Sequence, residues 1–189
     1  FGLAILTKSD LILRDLDLLK SINKKAKCVV QITLTTYDEE LCKILEPNVC
    51  TTKRRFEVLK IFRDNGIPTV VWFCPILPFI NDTEENMRGI LSYCFEAQVK
   101  GILCFNMGVT LRDGDREYFY AALDRNFPGV NKKYIEKFGL AYSCVSDNSP
   151  ALMQVFHTEC EKHGVMHDVG QIFKYMNTLE EKDEQLTLM

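Results

Sequence analysis

The stretch that decides the fold is Gly2-Leu3-Ala4-Ile5-Leu6-Thr7-Lys8-Ser9, an apolar run of strand length that ends in Thr-Lys-Ser. Helical spacing of leucines follows it at once. An all-apolar strand is typical of parallel sheets covered by helices, so we expect this strand to be buried on both faces. Lys8 then stands at the carboxyl end of the strand, where parallel α/β proteins bind ligands. Because a cation is costly inside the sheet, Lys8 is expected to point into the mouth of the fold; the alternative is a lysine that meets only solvent or a neighbouring carboxylate.

Three more strand-like runs, at residues 28–34, 69–74 and 101–106, alternate with helical patterns. This alternation predicts an α/β fold with a parallel sheet and right-handed crossovers. Both a partial (β/α) barrel and an open doubly wound sheet satisfy it. After residue 106 the pattern turns helical, with helices expected near 117–125, 132–138, 149–163 and 168–179. We therefore expect a unit of about four strands at 1–106 and a C-terminal helical extension packed on it at 107–189.

Composition narrows the class of protein. The 189 residues carry a net charge of −3, which gives no whole-chain reason to expect nucleic-acid binding. No apolar run is long enough to span a membrane and Phe1 does not begin a signal peptide, so we expect no membrane partner. The eight cysteines form no C-x-x-C pair, which favours free thiols and a cytoplasmic location. A strand that begins almost at residue 1 suggests the interior of a longer protein.

Seven short motifs occur in one order along the first half of the chain: T-K-S at 7–9, R-D-L-D-L-L at 14–19, I-T-L-T-T at 32–36, L-E-P at 45–47, R-R-F at 54–56, G-I-P at 66–68 and P-I-L-P-F-I-N-D at 75–82. Together they resemble the radical SAM superfamily, in particular the branch of spore photoproduct lyase and "DNA repair photolyase" relatives. The resemblance covers roughly residues 1–106.

The resemblance implies a partial (β/α) barrel whose [4Fe–4S] cluster binds S-adenosylmethionine and, on reduction, yields a 5′-deoxyadenosyl radical. The cluster ligands of that family lie in a C-x-x-x-C-x-x-C motif, which this chain lacks, so we expect it to be inactive alone. The substrate stays unknown, and nucleic acid enters as a partner through the resemblance alone. The missing early strands would leave residues 2–7 as an open sheet edge, a possible site of self-association.

Four cofactor-binding positions follow from the resemblance. Lys8 matches a lysine near the methionine carboxylate, and Thr33 matches a strand-end hydroxyl residue near the ribose or amino acid portion. The other interpretation of Thr33 is a β-branched strand residue that faces a helix. Ser9 and Thr35 are expected as neighbours of the same mouth. No catalytic residue and no metal ligand is assigned.

Other residues have mainly structural interpretations. Glu46 and Arg55 are expected to form an ion pair that ties two helices together. Residues 75–82 are expected to rim the substrate opening, with Asn81 or Asp82 capping the next helix. Trp72 lies in the middle of a strand, which favours a core position over a stacking platform.

His157, Cys160 and His163 recur at i, i+3 and i+6 on one predicted helix, with His167 just beyond. These residue types bind zinc, but an ordinary amphipathic helix explains the spacing equally simply. Two further functions stay open beside the radical SAM interpretation. One is a barrel enzyme in which Lys8 forms a Schiff base with a carbonyl substrate, and the other is a non-catalytic cofactor-binding or interaction module.

Overall fold

A computed structural model describes residues 2–179 and contains a parallel sheet of four strands. The strands are β1 (Leu3–Thr7), β2 (Cys28–Thr33), β3 (Thr69–Trp72) and β4 (Gly101–Leu103), in the order β1-β2-β3-β4. Neighbours in the sheet are thus neighbours in the chain, without the order reversal that marks a doubly wound sheet. This confirms the α/β class and the partial-barrel arrangement of the strands.

One face of the sheet carries the main core. Alternate β2 residues such as Val30 and Ile32 point to this side, because side chains of a strand alternate between faces. The packing helices are α1 (Leu16–Lys25), α3 (Thr52–Asp64), α4 (Glu84–Glu96) and α7 (Ser149–His163), and the short α2 (Glu39–Leu45) precedes α3. A 3-10 helix over Asp10–Asp15 leads from β1 into α1.

The opposite face is covered by α8 (Val169–Asn177), the last helix of the described residues. Its Ile172 packs on Val29, Val70 and Leu103 of three neighbouring strands. The approach is close at Gly101, where a Cβ atom would lie 2.8 Å from Ile172 Cγ1. A single parallel bridge between Gly101 and Met166 lengthens the sheet by one residue beyond β4.

The first strand is the edge of the sheet, as expected. Among the described residues β1 pairs only with β2. The expectation that β1 is buried on both faces is wrong, since Leu6 is 52% exposed. Leu6 lies on the α8 side of the sheet, but the packing of α8 involves β2, β3 and β4 and leaves β1 out. Self-association through this edge stays a prediction.

Residues 107–148 hold more than the predicted helices. The helices α5 (Asp115–Asn126) and α6 (Val130–Phe138) are present, but β5 (Gly108–Thr110) and β6 (Ser143–Val145) form an antiparallel pair around them. This unit has a small core of its own, formed by Leu111, Leu123, Tyr134 and Cys144. The boundary at residue 106 stays a prediction, and α7 and α8 return to the sheet.

The prediction that Asn81 or Asp82 caps α4 is wrong. Thr83 is the cap, and its side chain accepts a hydrogen bond from Asn86 N at 3.1 Å. Asn81 Oδ1 instead accepts from Leu77 N, and the Asp82 carboxylate accepts from the Ser146 hydroxyl. Both side chains therefore fasten loops rather than begin a helix.

No helix within residues 2–179 combines the length and apolar character needed to cross a bilayer. The charged tail that begins at residue 180, which the sequence predicts to fray, lies outside the described residues.

Candidate functional site

A cavity of about 340 Å³ lies at the carboxyl ends of the strands. Lys8, the residue after β1, lines it together with Thr35 from the loop after β2. Pro75, Leu77 and Asn81 also line it, so part of the predicted rim at 75–82 borders the opening. Its volume lies within the range of small-molecule sites, roughly 300–1,000 Å³.

Lys8 is held in this cavity by Glu46, which ends α2. The Lys8 Nζ atom lies 2.5 Å from Glu46 Oε1, and the lysine side chain is 39% exposed. Although the two atoms are close, their geometry is that of an ion pair and not of a regular hydrogen bond, since Glu46 Oε1 has no hydrogen-bond partner. Lys8 is therefore an ion-pair partner of Glu46 that keeps one side open to the cavity.

The second oxygen of Glu46 binds Arg55 of α3, as the sequence predicts. Arg55 Nη2 lies 2.5 Å from Glu46 Oε2, and the arginine side chain is fully buried. Its other nitrogens donate to the main-chain carbonyls of Thr33 and Cys50, at 2.7 and 2.8 Å. Arg55 thus satisfies its charge and ties α2, α3 and the end of β2 together.

The electrostatics of the Glu46 carboxyl follow from these neighbours. Burial alone would raise the pKa of Glu46, but the contacts of Lys8 and Arg55 outweigh it and hold the pKa below its ordinary value. Two cations around one carboxylate leave one positive charge uncompensated. Because Lys8 carries the exposed part of that charge, the cavity favours an anionic group beside Lys8.

The structure brings some of the other predicted residues together and separates others. Thr35 joins the group, with Oγ1 at 3.5 Å from Glu46 Oε2, and its carbonyl accepts from Asn81 and Asn86. Thr33 is buried on β2 and does not line the cavity; its carbonyl serves Arg55. Ser9 also lies off the cavity lining, and its hydroxyl caps the 3-10 helix by accepting from Leu11 N at 3.1 Å.

Trp72 packs against α8 as part of the second core cluster. Its Nε1 donates to Gln31 Oε1 at 2.6 Å, and its ring lies 5.9 Å from that of Phe105. These contacts agree with a core position.

Sequence reasoning missed one wall of the cavity. That wall is α5 and the residue after it, and it contributes Tyr118, Phe119, Ala122, Leu123, Arg125, Asn126 and Phe127. Positions 118, 122 and 125 recur at i, i+4 and i+7, so they form one helical stripe. The stripe is visible in the sequence, but nothing local shows that it faces the strand ends.

The candidate metal residues are placed apart. Cys160 is buried in the main core, whereas the His163 ring stacks on Phe95 with 3.8 Å between centroids. The His157 and His167 rings are 5.2 Å apart. Within residues 2–179 no three His, Cys, Asp or Glu side chains are grouped so that they could hold a metal ion.

The arrangement of the described cysteines also differs from what an iron–sulfur cluster requires, which is a group of exposed thiolates. Of the free cysteines in the described residues, six are buried, and Cys50 and Cys74 are partly exposed. Burial raises the pKa of Cys104 to about 12 and of Cys160 to about 12, which is opposite to what thiolate ligation needs. The described cysteines therefore do not fit an iron–sulfur cluster.

The parallel sheet thus has a cavity lined by an ion pair at the carboxyl ends of its strands, the place where parallel α/β proteins bind ligands. Residues 1–90 match the Radical SAM superfamily. This match contains Lys8, Glu46 and Arg55, and it supports the superfamily resemblance for this part of the chain. The match says nothing about the spore photoproduct lyase branch.

Two curated relatives are also similar to this chain. The protein Rv2578c of Mycobacterium tuberculosis is 29% identical over 136 residues, which are 72% of this chain and 39% of the relative. The protein MJ0683 of Methanocaldococcus jannaschii is 39% identical over 82 residues, or 43% of this chain and 30% of the relative. The chain thus spans well under half the length of these relatives.

Two solved structures of Streptococcus suis SuiB are also similar. SuiB bound to the precursor peptide SuiA is 16% identical, with a TM-score of 0.42 over 53% of this chain and 21% of SuiB. SuiB bound to S-adenosylmethionine is 15% identical, with a TM-score of 0.41 over 65% of this chain and 28% of SuiB.

Proposed function

We propose that this chain forms the wall of a radical SAM enzyme that holds the amino acid portion of S-adenosylmethionine. The observation that carries the proposal is the positive charge left over by Lys8, Arg55 and Glu46, which faces a cavity at the strand ends. The match of residues 1–90 to the superfamily supports the same proposal.

Each residue then has a defined task. Lys8 binds the carboxylate of the cofactor through its exposed side, and the Thr35 hydroxyl offers a hydrogen bond at the same wall. Glu46 orients Lys8, and Arg55 keeps Glu46 ionised although it is only 10% exposed. When bound, S-adenosylmethionine supplies the radical chemistry of the superfamily.

The assignment to a particular branch of the superfamily rests on the seven sequence motifs alone. Under it the whole protein is a lyase-like enzyme of the spore photoproduct lyase branch; its substrate is unassigned, and nucleic-acid lesion repair enters through the resemblance alone. The Schiff-base alternative for Lys8 gains no support from the geometry, because that chemistry needs an uncharged amine and Lys8 is paired with a carboxylate.

Ligand titration of the chain followed by NMR tests the proposal. We compare S-adenosylmethionine with its decarboxylated form, and the wild type with Lys8→Gln. The substitution should weaken S-adenosylmethionine about tenfold, the worth of one charge-assisted hydrogen bond, and leave the decarboxylated ligand unchanged. Lys20→Gln on α1 controls for the lost charge. Absence of binding, or equal losses for both ligands, would refute the assignment.

A further inference from the structure

The α5 wall of the mouth cavity carries a cation that the proposed cofactor subsite does not use. Arg125 lines the cavity, and across residues 2–179 its side chain has no hydrogen bond, ion pair or ring contact. This sets it apart from Arg116 on the same helix, which donates to the carbonyls of Gly139 and Ala141. An arginine without a partner at the edge of a cavity is available to a ligand.

The charges of the cavity favour an anion at this wall. Lys8 and Arg125 are the two cations of its lining, and Glu46 is the one acid, already bound by Lys8 and Arg55. The guanidinium of Arg125 is thus not neutralised by any carboxylate of the lining. A planar guanidinium binds carboxylate or phosphate through paired hydrogen bonds.

Around Arg125 the same wall is apolar and aromatic. Tyr118, two turns before Arg125 on the same stripe of α5, is 74% exposed, and Phe119 and Phe127 also line the cavity. The facing wall adds Ile44 and Leu45 of α2. Binding a flat apolar group over a large exposed aromatic ring is favourable, because it removes the apolar surface of both from water.

We propose that the substrate held at this mouth is an anion with an aromatic or otherwise flat apolar body, and that Arg125 binds its acidic group. The body lies against Tyr118 and Phe127, and Lys8 remains with the cofactor carboxylate. The inference rests on the proposed function, because it places the substrate beside that subsite. The α5 wall lies outside residues 1–90, the part of the chain that matches the superfamily model.

A matched pair of probes tests the charge requirement. 2-Naphthoate and 2-naphthol share one ring system, and only the first is an anion at neutral pH. Fluorescence titration of the wild-type chain should show naphthoate binding about tenfold more tightly, as one guanidinium–carboxylate pair provides. The preference should shrink as salt is added, since the site is partly exposed.

Variants at Arg125, Lys132 and Lys8 locate the anion. Arg125→Gln should abolish the preference, Arg125→Lys should keep part of it, and Lys132→Gln, which removes an exposed charge from α6, should leave it intact. Equal binding of the two probes, or a preference that survives Arg125→Gln, overturns the inference. Loss of the preference in Lys8→Gln alone also overturns it, because the anion then lies at Lys8. Retention of S-adenosylmethionine binding in Arg125→Gln separates failure of this inference from failure of the proposed function.

Discussion

Lys8 and Arg55 bind opposite oxygens of a single carboxylate, each at 2.5 Å, although one is at the cavity surface and the other is fully buried. Glu46 therefore connects a candidate ligand-binding cation to the packing of α2 on α3. The arrangement is similar to a metal ligand held by a supporting residue. Lys8, the outer group, is oriented through Glu46 by Arg55, an inner group that does not itself meet the ligand.

The buried arginine should matter far more to stability than its neighbour in sequence. Arg55→Met leaves Glu46 and two main-chain carbonyls without their buried partner, so we expect a loss of about 3–5 kcal/mol in the free energy of unfolding. Arg54→Met is the matched control, because Arg54 is 42% exposed in its pairs with Asp10 and Glu57. That change should cost less than about 1 kcal/mol. Urea unfolding measures both, and similar losses for the two variants would contradict the buried network.

Stability should fall in acid through the Glu46 carboxyl. Its pKa in the folded chain lies below the unfolded value, so its contribution is complete above about pH 4.3 and is lost as the pH drops through the folded pKa. In Lys8→Gln the pKa of Glu46 rises toward its unfolded value, so this loss of stability in acid becomes smaller and is complete at a higher pH. Urea midpoints measured from pH 3 to pH 7 test this, with Lys20→Gln as the control. An identical pH profile in wild type and Lys8→Gln would exclude the coupling.

The close approach of α8 to β4 should make Gly101 intolerant of a side chain. A Cβ atom there would lie 2.8 Å from Ile172 Cγ1 and 3.2 Å from the Met166 carbonyl oxygen. We expect Gly101→Ala to cost about 1–3 kcal/mol through overpacking. Thermal or urea unfolding measures the cost. In an Ile172→Ala background the same change should cost much less, because the space it needs is then open; strict additivity of the two changes would show that α8 does not crowd β4.

Local patterns explain what the sequence could predict. Each of β1 to β4 is an apolar run, and a helical repeat follows each of the first three; these signals depend on neighbours in the chain. Lys8 at a strand end and the pairing of Glu46 with Arg55 follow from the same local order, since the strand and helix ends determine where those side chains emerge. These are the parts of the site that structure and sequence agree on.

What the sequence could not predict depends on contacts between distant segments. The strands β5 and β6 have three residues each, too few for a period to be recognised. The exposure of Leu6 depends on how far α8 extends across the sheet. The α5 wall depends on how residues 107–148 pack beside the carboxyl ends of the strands. The error at Asn81 and Asp82 has the same origin: polar residues before a helix resemble caps, but here tertiary partners compete for them.

The shared carboxylate also makes ligand capture and protonation interdependent. Any acid group that draws the Lys8 ammonium toward itself weakens one of the two attractions that keep Glu46 ionised. Occupancy of the mouth should then be accompanied by proton uptake at Glu46 in mildly acidic solution, and affinity should depend on pH through a group that the ligand does not touch.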